Sequence, residues 1–89
     1  MKRERCEVLR KIIGKYIRDA RIKKSLSGEQ LGLLLHVSQQ QISRYENANT
    51  SINIETLHVI LQKLDKDWGD FFCNVLSEYE KNNVTYTRD

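Results

Sequence analysis

Apolar residues along this chain recur at intervals of three and four, the spacing of helices buried along one side. Val8, Leu9, Ile12, Ile13, Tyr16, Ile17 and Ala20 make the first such stripe, which predicts helix 1 over about Arg5 to Lys24. Gly14 falls inside it and reads as a weak spot, since glycine costs roughly 1 kcal/mol against alanine in a helix interior. Leu57, Ile60, Leu61 and Leu64 repeat the spacing and predict a helix 4 over about Ile54 to Leu64 that closes the core. Trp68, Phe71, Phe72, Val75, Leu76 and Tyr79 carry a last stripe from Trp68 into the low 80s. Beyond Lys81 the residues turn polar, and 83–89 read as a frayed tail.

Three helix starts are written in one grammar. Ser27 can cap the first free amides while Gln30, three residues on, reaches back, and Leu26 and Leu31 fall at the positions of a hydrophobic staple. Ser38 with Gln41 repeats the pattern, stapled by Val37 and Ile42. A weaker version stands at Asn53, with Ile52 and Leu57. These marks define helices 2, 3 and 4. Between helices 2 and 3 only His36 and Val37 precede the next cap, and so tight a turn makes two helices cross steeply, as in a helix-turn-helix.

Eighty-nine residues, no proline and four glycines fit one all-α domain of five helices, over 1–82, with the helix-turn-helix at about 27–46. A second, catalytic fold has no room. The net charge of +3 is unevenly spread: residues 1–24 carry ten Lys/Arg against three acids, and residues 65–89 carry three against six. A basic front and an acidic back suit a protein presenting one face to a polyanion, although the same basic residues also read as the solvated side of helix 1.

Cys6 and Cys73 are far apart, and with His36 and His58 they show none of the close pairings that zinc sites use, so no metal and no cofactor is expected. Asp65, Asp67 and Asp70 read as a loop and a helix start, where the dipole favours acids, and not as catalytic carboxylates. No serine or cysteine has a recognisable base, and the chain is not read as an enzyme. The charged N-terminal residues resemble no signal sequence, and no apolar run approaches the ~18 residues of a membrane span. A cytoplasmic protein with reduced thiols, no membrane association and no small-molecule ligand is the expectation.

Helix 3 carries the informative chemistry. At about 100° per residue, Gln39, Gln40, Ser43 and Arg44 share one side, with Ile42, Tyr45 and Glu46 on or towards the other. Glutamine offers the paired donor and acceptor that match the N6 and N7 edge of adenine, and arginine matches the O6 and N7 edge of guanine. Such side chains are gathered in the first turn and a half, the part of a recognition helix that enters the major groove.

Ile17-Arg18-Asp19-Ala20-Arg21, Ser27-Gly28-Glu29-Gln30-Leu31-Gly32, the run from Val37 to Asn47 and Glu55-Thr56-Leu57 resemble the Cro/C1-type helix-turn-helix regulators in order and spacing, over about half the chain. Ser38-Gln39-Gln40-Gln41 followed by Ser43-Arg44-Tyr45-Glu46 is most similar to the small regulators encoded with fimbrial operons in enterobacteria, which link adhesion to motility. The resemblance implies a five-helix, lambda-repressor-like DNA-binding domain acting as a homodimer on palindromic double-stranded DNA. It puts Gln39, Gln40, Ser43 and Arg44 at base edges, and Ser27, Gln30, Asn47, Asn49 and Asn53 at the DNA backbone. Gln41 is ambiguous between capping and a backbone contact. Arg21 and Glu46 correspond to a buried structural ion pair.

Two positions depart from the family pattern. Gly32 replaces the usual alanine, and His36 replaces a glycine at a turn position that often needs positive φ. The last stripe has two uses: a plain fifth core helix, or a split in which Trp68 and Phe71 pack inward while Phe72, Val75, Leu76 and Tyr79 meet a partner copy as a C-terminal dimerisation helix. A second function class also stands, a protein-binding adaptor or antitoxin-like module built on the same fold.

Overall fold

The computed structural model describes residues 2–87, and the side chains of residues 7–82. Five helices follow one another: α1 (Lys2–Lys23), α2 (Gly28–Leu35), α3 (Gln39–Glu46), α4 (Ile54–Lys63) and α5 (Trp68–Thr87). No strand occurs among the described residues. Two ends differ from the sequence expectation. α1 begins at Lys2, before Arg5, and α5 continues to Thr87 instead of stopping in the low 80s. No Gly or Pro follows Gly69 to end α5, and the side-chain amide of Asn82 donates back to the Glu78 carbonyl at 2.8 Å. Of the expected tail, residues 88 and 89 lie outside the described residues.

The core draws on every helix. Ile17 and Ala20 of α1, Leu31 of α2, Ile42 of α3, Leu57, Ile60 and Leu61 of α4 with Leu64 just beyond it, and Phe71 and Val75 of α5 are all buried. Each large aliphatic or aromatic side chain so placed contributes about 1.5–3 kcal/mol of transfer free energy. The stripe on α4 is wholly internal.

Helix starts follow the marks in the sequence. Ser27 Oγ accepts from the Gln30 amide at 3.0 Å, Ser38 Oγ from Gln41 at 3.1 Å and Asn53 Oδ1 from Thr56 at 2.8 Å. Asp67 adds a fourth, accepting from the Asp70 amide at 2.7 Å. Four helix ends share a device that the sequence signalled only at His36. Leu26, Val37, Asn49 and Lys66 donate their amides to the carbonyls of Arg21, Gly32, Arg44 and Leu61, five residues back in every case. The residue before each donor, Ser25, His36, Ala48 or Asp65, has φ near +60°. This is the Schellman closure, made four times without glycine.

Two of the chain's four glycines, Gly14 and Gly32, serve close approach instead. A Cβ on Gly14 would lie 2.5 Å from the Glu46 carbonyl oxygen and 2.8 Å from that of Tyr45. Gly14 is therefore where α1 touches the end of α3, and the weak-spot reading gives way to a packing requirement. At Gly32 a Cβ would come within 2.7 Å of the Val37 carbonyl oxygen, so the usual alanine does not fit this turn. α1 also holds α5: Tyr16 packs edge-on to Phe71 at 5.3 Å and its hydroxyl donates to Asp70. Burial, reinforced by that hydrogen bond and by the charge of Asp70, pushes the Tyr16 phenol well above its ordinary pKa.

Candidate nucleic-acid interface

The turn between α2 and α3 is His36-Val37-Ser38, with His36 left-handed at φ 61° and ψ 40°. It brings α3 against α2 and places Ile42 in the core, 2% exposed. Because Ile42 points inward, Gln39, Gln40, Ser43 and Arg44 are all exposed along the opposite side of the helix. Tyr45 and Glu46 are half-buried.

Glu46 closes the helix onto α1. Arg21 donates from Nε to Oε2 at 2.7 Å and from its terminal nitrogen to Oε1 at 3.0 Å, a bidentate pair with side chains 14% and 7% exposed. A further nitrogen of Arg21 donates to the Leu26 carbonyl at 2.9 Å, tying in the strap before α2. The hydrogen bonds it donates to Glu46 hold the Arg21 guanidinium above its ordinary pKa, against burial acting the other way.

The flanking polar residues are partly used inside the protein. At Ser27 the capping box is complete, with Gln30 Oε1 accepting from the Ser27 amide at 2.8 Å, which leaves the Gln30 amide nitrogen free of that bond. At Ser38 only half the box forms: Gln41 gives its backbone amide to the cap, and its half-buried side chain does not return the bond. Asn53 spends its oxygen on Thr56. Asn47, expected at the DNA backbone, turns its amide nitrogen to the Ser43 carbonyl at 2.9 Å and hydroxyl at 3.1 Å. Ser43 Oγ thus accepts one bond and keeps its proton to donate. Asn49 is exposed in the following loop.

On α5 the stripe divides differently from the expectation. Phe71 is buried and Trp68 half-buried, the latter edge-on to Phe71 and stacked at 5.6 Å on Phe72. Val75 is a correction: at 3% exposure it belongs to the monomer's own core and has no surface for a partner. It falls four residues after Phe71, one helical turn along the inward face. Phe72 and Leu76 are each 49% exposed, and Tyr79 is half-buried.

One residue of this surface was not singled out from the sequence. Arg18, exposed and one turn before Arg21 on α1, lines an open cleft with Gln39, Ser43 and Asn47. Its spacing from Arg21 was the available signal. Among the described residues, no group of histidine, cysteine and carboxylates could hold a metal ion, and no helix is long and apolar enough to cross a membrane.

Two short helices joined by a three-residue turn, with an outward polar face on the second, mark the helix-turn-helix class of DNA-binding domains. The chain belongs to the helix-turn-helix family, whose model matches residues 17–71. It is 34% identical over 85 residues to an uncharacterized HTH-type transcriptional regulator of Rickettsia conorii, covering 92% of this chain and 67% of that protein. It is also 28% identical over 74 residues to the antitoxin PezA of Streptococcus pneumoniae, covering 78% of this chain and 47% of that one. The chain thus spans about two thirds of the length of the first relative and about half of the second. The crystal structure of the clp gene regulator ClgR from Corynebacterium glutamicum shares the fold, with a TM-score of 0.77 at 19% identity over 88% of this chain and 83% of that one.

Proposed function

We propose that this member of a transcriptional-regulator family binds double-stranded DNA sequence-specifically as a homodimer on a palindromic operator. One observation carries the reading: Gln39, Gln40, Ser43 and Arg44 are exposed together on the first turns of α3, while Ile42 and the Arg21–Glu46 pair fix the helix from behind. Gln39 and Gln40 match adenine and Arg44 matches guanine. Ser27, Gln30, Gln41, Asn49 and Asn53 flank this face and supply backbone contacts. Asn47 flanks the same face and contacts the backbone too, while its amide nitrogen orients the Ser43 hydroxyl.

Two such faces are held together by Phe72 and Leu76, with Tyr79 beside them, on the exposed side of α5. The protein acts in the cytoplasm without a cofactor or small-molecule effector, and its control comes through abundance or a partner. Fimbrial and motility genes as targets rest on the resemblance of Ser38 to Glu46 alone. A second reading, an antitoxin-like module whose α5 face holds a protein partner, is favoured by the similarity to PezA.

Selection of bound duplexes from a random pool tests the main reading. It should return a two-fold motif with half-sites about one DNA turn apart. Gln40→Ala should then lose ~1–3 kcal/mol on that motif and relax preference at one base pair per half-site. A pool without enrichment, or a motif unchanged by Gln40→Ala, removes the base-reading assignment.

A further inference from the structure

We infer that the cleft between α1 and α3 is the seat of one DNA backbone phosphate, and that Arg18 is the residue that holds it. The inference rests on the DNA-binding reading above and names a contact absent from it.

The cleft, about 300 Å³, is lined by three charged side chains, Arg18, Arg21 and Glu46. The last two neutralise each other through their bidentate pair. Arg18 is left as an uncompensated cation. The acid nearest to it in sequence, Asp19, is taken by Lys15 at 2.9 Å, and Arg18 has neither an ion pair nor a hydrogen bond among the described side chains. An arginine held at a fixed helix position, with its five donors unused, is matched in charge and geometry to a phosphate.

The other walls say which phosphate. Gln39 and Ser43, two of the base-facing residues, line the same cleft, and Asn47 fixes the Ser43 hydroxyl so that its proton points away from the amide it accepts from. A recognition helix entering the major groove is flanked by the sugar-phosphate strands, and contacts to them set its register. The cleft runs along α3 from Gln39 to Asn47, so its occupant is a phosphate of the strand that flanks the base pairs read by this helix. Arg18 therefore acts as a positioning residue, coupling α1 to the register of the reading helix.

The test is fluorescence anisotropy with the duplex recovered by selection, using wild type, Arg18→Gln and Arg18→Lys over a range of salt. Duplexes carrying a single neutral methylphosphonate are scanned alongside. Arg18→Gln should bind selected and unrelated duplexes about tenfold more weakly. Its log K against log salt should be shallower by about 0.9, the counterion release of one phosphate. Arg18→Lys, which keeps the charge, should keep the slope. One methylphosphonate position should weaken wild type and leave Arg18→Gln unaffected.

An unchanged slope in Arg18→Gln, with every methylphosphonate penalty intact, overturns the phosphate seat and leaves DNA recognition standing. A wild type that binds no duplex overturns both.

Discussion

Gly14 and Glu46 meet where α1 touches the end of the reading helix, and they respond to substitution in opposite ways from their surface appearance. Alanine at position 14 would improve helix propensity by roughly 1 kcal/mol. It would also place a methyl group 2.5 Å from the Glu46 carbonyl oxygen. Overpacking of this kind costs typically 1–3 kcal/mol, so Gly14→Ala should lower the thermal midpoint despite the propensity gain. A raised midpoint would refute the contact. Glu46→Ala leaves Arg21 with its bond to the Leu26 carbonyl but no counter-charge, and loss of one member of this partly buried pair should cost up to about 3 kcal/mol. Thermal unfolding should show that loss together with weakened DNA binding; a fully stable variant that no longer binds would make Glu46 a DNA-contacting residue instead. The partnership of Arg21 and Glu46 was suggested by family resemblance, whereas the role of Gly14 was hidden, because sequence shows the cost of a glycine in a helix and not the backbone pressed against it.

Helix starts were legible in this chain and helix ends were not. A serine or asparagine caps through its own side chain, so Ser27, Ser38 and Asn53 announce themselves by residue type. The ends are closed by backbone bonds around a left-handed residue, usually signalled by glycine, and here Ser25, His36, Ala48 and Asp65 occupy that place. Only His36 was suspected. A non-glycine residue in this conformation costs about 1–2 kcal/mol, part of which glycine returns as unfolded-state entropy. His36→Gly should therefore stabilise the fold by about 0.5–1 kcal/mol in denaturant unfolding. Destabilisation would mean that the imidazole itself supports the turn. The far end of α5 was misread for a related reason: polar composition suggested fraying, but no residue there breaks a helix.

At the scale of the whole molecule, the five-helix order and most of the core could be read from periodicity, since a buried stripe leaves the same three-and-four pattern in any helix. Periodicity could not divide the α5 stripe. Val75 and Leu76 are neighbours in sequence, yet one is sealed in the monomer and the other is half exposed, a distinction set by where α1 lies against α5. Phe72 and Leu76 are the surface left for a second copy. Sedimentation of wild type at tens of micromolar should show a dimer, and Phe72→Asp should shift it to monomer while leaving helicity intact. A wild type that remains monomeric would return α5 to a purely internal role.

Trp68 is the chain's one tryptophan, and its indole stacks on Phe72 while its N–H donates to His58 Nδ1 at 3.3 Å. The molecule thus carries its own optical gauge at the edge of the surface at issue. Drying of Phe72 by a partner would shift the indole emission towards the blue as concentration rises, so self-association can be followed by light alone, with no dye attached.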